Sequence, residues 1–191
     1  MRSNTRAPGE GYDGAANNLE HVLIPSYDPV VTLPTGAARP AALTSDAIDW
    51  QASTDEHPAR MASMRSYSAV AKGDLEEWLA VHAEDGVVED PVGPSMFDPE
   101  GKGHRGHAGI RAFWEQAIAP IDTFAFTITE SFANPGSSTC ANIGSIRTSF
   151  ADGSHTTTDL IMVYVVDEDG RVTSMKAYWE PERTMASFTQ A

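Results

Sequence analysis

The chain has 191 residues, 41% of them hydrophobic, which suits one packed domain plus additional segments and excludes global disorder. A formal net charge of −14 repels nucleic-acid phosphate and anionic lipid, so neither nucleic acid nor membrane is expected as a partner. A single cysteine, Cys140, excludes an intrachain disulfide or a multi-cysteine zinc site; with no signal-like start and no 18-residue apolar run, the expected location is cytoplasmic.

Residues 1–56 read as a proline- and acid-rich N-terminal extension, mostly irregular, in which only "EHVLIP" and "PVVTLP" are apolar. Composition leaves two readings open for it: an arm that docks through those patches, or a loose tail. The domain proper is expected over residues 57–191. Met61, Met64, Ser68 and Ala71 recur at helical spacing, so residues 58–72 predict a helix that Gly73 ends. Asp74 and Glu77 have capping-box spacing and open a second helix, "DLEEWLAVHA", which Gly86 stops.

"VVED" predicts a short strand, and "GPSMFDPEGKGHR" a long loop. In "HAGIRAFWEQAIA", Ile110, Phe113, Trp114 and Ala117 share one face of a third helix that Pro120 closes. Four strands follow: "TFAFTITESFA", "TCANIGSIRTSF", "HTTTDLIMVYVV" and "RVTSMKAYW". Asp152-Gly153 is a hairpin signal between the second and third. The fold class is α+β: three helices segregated to one face of a curved antiparallel meander.

Three anchors occur in order: "KGDLEEW…EDGVVEDPVG", "HRGHAGIRAFWEQ" and "DEDGRVTSMKAYWE", with "TTTDLIMVYVV" supporting them. On these residues the chain resembles the ketosteroid isomerase (steroid delta-isomerase) group of the NTF2-like/SnoaL-like superfamily, over about residues 58–185. The long loop "PVGPSMFDPEGKGHRG" is similar to the divergent actinobacterial branch. The resemblance implies a cystatin-like cone enclosing an apolar pocket, a flat polycyclic ketone such as a steroid as ligand, no cofactor, and a homodimer formed through the outer sheet face.

Side chains alternate along a strand, so if Val88 faces inward, so does Asp90, while Glu89 points away. The resemblance makes Asp90 the general base, taking a proton from the carbon beside a carbonyl and returning it two carbons along. An apolar wall that raises the carboxyl pKa toward working pH suits that task.

The isomerases hold the developing oxyanion with a tyrosine and a protonated aspartic acid. Counting back 24 residues from Asp90 puts the tyrosine position on Ser66, and counting back 17 from Trp179 puts the aspartic acid position on Met162. Two supporting tyrosine positions hold His82 and Trp114, so the hydroxyl network is expected to be missing. Tyr67, one step from Ser66, is turned by about 100° and expected to point elsewhere. Ser66, Tyr67 and His82 are the candidates for polarising the carbonyl. Trp114, Met162, Trp179, Val88 and Phe113 are expected to bind the substrate.

Arg147 resembles the strand arginine of epoxide-opening relatives, but Ser149 and Ala177 stand where their aspartates belong. His104 and His107 have an H-x-x-H spacing with no third ligand nearby, so no metal is expected. The leading function is a ketosteroid-isomerase-like proton-transfer enzyme. A non-catalytic binder of steroids or other hydrophobic ligands, and a SnoaL-like cyclase or epoxide-opening enzyme, are the alternatives.

Overall fold

A computed structural model describes residues 44–191. The apolar patches at 20–25 and 29–34 lie outside the described residues. Part of the stretch expected to be irregular is strand: β1 (Thr44–Ser45) and β2 (Ile48–Trp50) join the main sheet. β2 runs parallel to a later strand with Trp50 opposite Ile128, and Trp50 is fully buried. Three residues are too short a run to show a period, so composition concealed them.

α1 (Pro58–Lys72) starts with proline where no N–H is needed and ends at Gly73, whose φ of 69° suits the left-handed cap. Its buried face differs from the expected one, since Met61 is exposed and Ala59, Ala62, Ser63, Ser66 and Tyr67 are buried. α2 (Leu75–Val81) is capped by Asp74, whose side chain accepts the Glu77 N–H at 2.9 Å.

α2 stops at Val81 instead of running to Gly86, and β3 (His82–Glu89) follows without a loop. Pairing with the last strand overrides the local helical pattern here. Gly86 serves close backbone approach, since a Cβ there would lie 2.8 Å from the Val172 carbonyl oxygen. β4 (His104–Arg105) pairs with β3, and α3 (Gly106–Phe113) continues into a π-helical turn over Trp114–Ile118.

The meander is β5 (Thr123–Ala133), β6 (Thr139–Ser149), β7 (His155–Val166) and β8 (Val172–Tyr178), followed by a short helix, α4 (Pro181–Ala186), that was not expected. The eight strands run in the order β1-β2-β5-β6-β7-β8-β3-β4, and β3 lies parallel to β8. The helices pack on the concave face of this curved, unclosed sheet, as expected for an NTF2-like cone. Among the described residues no helix is long and apolar enough to cross a membrane.

The register shifts between Ile128 and Glu130, and Gly144 sits opposite Ile128. A Cβ at Gly144 would overlap the Thr127 carbonyl oxygen. Gly144→Ala is therefore expected to destabilise the fold by about 3 kcal/mol, read as a lower urea midpoint.

Candidate active site

Asp90 follows β3, and the next turn is held by the Val92 N–H donating to the Ala177 carbonyl at 2.8 Å. Alternation works as the sequence requires. Val88 is fully buried, Glu89 turns away to meet Lys176 at 3.0 Å, and Asp90 enters a hollow under the helices.

The hollow has two chambers whose walls share Asp90, Ile118, Phe124 and Ile146. The outer one, of about 230 Å³, is lined mainly by apolar side chains, among them Phe97, Phe113 and Leu160, and α4 supplies Pro181, Thr184 and Met185. The inner one, of about 60 Å³, is bounded by Ser66, Tyr67, Trp78, Met162, Tyr164 and Met175.

Burial raises the Asp90 pKa from 3.8 to about 6, and the hydrogen bond from Trp179 opposes the shift. That bond runs from the Trp179 Nε1–H to Asp90 Oδ1 at 2.5 Å. Trp179 thus orients the carboxylate, leaving Oδ2 as the freer oxygen.

Hydroxyl groups line the inner chamber, contrary to the expectation that this network is missing. Ser63, Ser66, Tyr67 and Val70 stand at i, i+3, i+4 and i+7 on α1, one stripe wide enough to carry both Ser66 and Tyr67 inward. The expectation that Tyr67 points elsewhere treated the inward face as one residue wide.

The direction of each bond follows from what each group can donate. The Ser63 hydroxyl donates its one proton to the Arg60 carbonyl at 2.8 Å. It must therefore accept from Asn142 Nδ2, at 3.0 Å. The same NH₂ group donates to the Tyr67 hydroxyl oxygen at 2.8 Å, so Tyr67 keeps its own proton to give elsewhere. The Tyr67 and Tyr164 phenols also interact, with rings edge-on at 5.8 Å. Tyr164 donates to Ser66 Oγ at 3.4 Å, and the Trp78 indole donates to the same oxygen at 2.9 Å. Burial is the main cause pushing both phenol pKa values well up, so both stay protonated donors at any working pH.

Of the residues expected to bind substrate, Phe113, Met162 and Trp179 line the hollow. Trp114 does not; it packs behind the wall against Trp78, with ring centroids 5.3 Å apart. Val88 is likewise core, paired with Met175 and His104. His82 is neither on α2 nor in the walls. It opens β3, its ring lies 4.8 Å from Trp78, and its Nδ1–H donates to the Trp78 carbonyl at 2.8 Å. Burial lowers its pKa to about 4, so it is neutral, and it lines neither chamber. His104 packs against Phe113 with ring centroids 4.7 Å apart and planes tilted by 41°, and His107 Nε2 donates to the His82 carbonyl at 3.1 Å. Arg147 is exposed on the sheet.

Tyr164 and Asn142 were not among the expected site residues. Tyr164 lies two residues beyond Met162, on the same strand face, and Asn142 pairs opposite Met162. Period-two alternation along β7 was the signal for the first.

A SnoaL-like domain model matches residues 64–175. A steroid Delta-isomerase of Nocardioides simplex is 32% identical over 122 residues, 64% of this chain and 89% of that protein. The crystal structure of a Delta 5-3-ketosteroid isomerase from Mycobacterium sp. is 34% identical with a TM-score of 0.63, covering 71% of this chain and all of that one. A Mycobacterium tuberculosis protein in complex with estradiol-17beta-hemisuccinate is 31% identical, with a TM-score of 0.62 over 70% of this chain and 99% of that one.

Proposed function

The chain belongs to the SnoaL-like domain family, and from that premise we propose that it is a ketosteroid-isomerase-like enzyme acting on a steroid or similar bulky polycyclic ketone. The Asp90 carboxylate removes a proton from the carbon between the ketone and an isolated C=C bond. The electron pair moves onto the carbonyl oxygen, giving a dienolate. The Tyr67 hydroxyl, with Tyr164 beside it, donates to that oxygen as charge develops. Protonated Asp90 then returns the proton two carbons along, and the double bond ends conjugated with the re-formed ketone. No proton is gained or lost overall, so the chain's own groups supply the chemistry.

One observation carries this reading. A carboxyl with a pKa raised to about 6 and two protonated phenols border the same apolar hollow. The test is incubation with a Δ5-3-ketosteroid while following conjugated-enone absorbance. Turnover that Asp90→Asn removes is the expected result. A non-catalytic steroid carrier is the second reading, and the smallness of the inner chamber, about 60 Å³, favours it. Tight steroid binding with no absorbance change in the native protein would select the carrier.

The reading extends to a homodimer through the outer sheet face. Ile143, Ile161 and Tyr178 are 39%, 44% and 46% exposed and are paired across β6, β7 and β8 in one row. Ile161→Lys is expected to halve the mass measured by sedimentation equilibrium. An unchanged mass would remove this face as the interface.

A further inference from the structure

Resting on the reading of the hollow as a ketone site, we infer that its outer chamber holds a second polar subsite. Its ligand is an elongated polycyclic ketone bearing another oxygen at the end remote from Asp90.

The concave faces of β6 and β7 change character along their length. Along β7 this face carries Tyr164 at the inner end, then Met162 and Leu160, and beyond these Thr158 and Thr156, with Asn142 of β6 opposite Met162, Ile146 opposite Thr158 and Thr148 opposite Thr156. A polar end, an apolar belt and a second polar end thus follow one another along one wall. Thr148, Thr156, Thr158 and Thr184 all line the outer chamber, whose other walls are mostly apolar.

The level of Asp90 on this wall is fixed by the Val92–Ala177 hydrogen bond, because Ala177 pairs with Met162. From Met162 to Thr158 is four residues of strand. At about 3.3 Å per residue that is roughly 13 Å, the reach of several fused rings.

The threonines have protons to give. Thr148 and Thr156 meet hydroxyl to hydroxyl at 2.6 Å, which uses one of their two protons. Thr184 donates to Thr158 at 3.1 Å, which leaves the Thr158 proton over. Neither spare proton has an acceptor among the described residues, and a ligand oxygen at this level supplies one. A wall built only for hydrocarbon would carry valine here at the same volume and β-branching.

The test compares two saturated 3-ketosteroids that differ only at the far end of the ring system. One carries a 17-keto group and the other the bare methylene. Neither has a double bond to move, so binding is read apart from turnover, by calorimetry on the full-length protein. The native protein is expected to bind the 17-keto compound about 10-fold more tightly. In Thr156→Val/Thr158→Val the preference should disappear, with the bare compound bound at least as well as before. Circular dichroism checks that the variant is folded, and each single variant serves if the pair is not. Equal affinities in the native protein, or a preference that survives both substitutions, would overturn the subsite and leave the ketone site standing. Failure of both compounds to bind the native protein would overturn the ketone site and the subsite with it.

Discussion

Asp90→Asn is expected to lower kcat by about 10³–10⁴-fold and to make the protein more stable above neutral pH. The first effect is the loss of the base, since asparagine keeps an oxygen for the Trp179 indole but has no lone pair basic enough to take a carbon-bound proton. The second follows from the carboxyl's raised pKa. Between pH 3.8 and about 6 the folded protein holds a proton that the unfolded chain has released. Stability therefore falls as pH rises through that window, and above it the ionised carboxylate costs the fold about 3 kcal/mol. Asparagine carries no such charge. Urea melts at pH 4 and pH 8 should show the native protein losing stability relative to Asp90→Asn by about that amount. The native kcat/KM should rise with pH through about 6 and then level. If Asp90→Asn gained no stability at pH 8, the carboxylate would be better solvated than the hollow implies.

The parts of this protein that repeat are the parts its sequence discloses. The four strands of the meander are long enough to show their alternation, and α1 is bounded by proline and glycine at both ends. Asp90 was legible for the same reason, because one buried valine two residues before it fixes which way it faces. What was not legible depends on partners distant in the chain. β3 starts at His82 because β8 is there to pair with it, which removes His82 from the helix and from the site. Tyr67 is a candidate donor by position, but its direction was not legible one residue at a time, since the α1 stripe through Ser63, Ser66, Tyr67 and Val70 carries it inward. The expected loss of the hydroxyl network came from reading family positions one by one. The phenol at Tyr164 sits one strand period from Met162, on the same face, where a shift of two residues keeps a side chain pointing the same way. Asn142 had no local signature, since its role depends on Ser63 and Tyr67, 79 and 75 residues away in sequence.

Asn142 is where chemistry and scaffold meet. Because the Ser63 proton is committed to the Arg60 carbonyl, the amide of Asn142 can present only its NH₂ side to Ser63 and Tyr67. Tyr67 then accepts from behind and donates ahead, toward Tyr164 when the hollow is empty and, under the proposed function, toward the ketone oxygen when it is filled. Tyr67→Phe is expected to lower kcat by about 10²–10³-fold, the usual cost of one oxyanion donor, with little change in KM. Asn142→Asp keeps the shape but, when ionised, offers Tyr67 an acceptor, so the phenol proton turns backward and the ketone loses it. A kcat loss of the same order is expected. The decisive measurement is the pair together: once Tyr67 is phenylalanine, adding Asn142→Asp should cost kcat almost nothing more. A merely structural asparagine would instead multiply the two losses, and that result would return the choice of oxyanion donor to Tyr164 and Ser66.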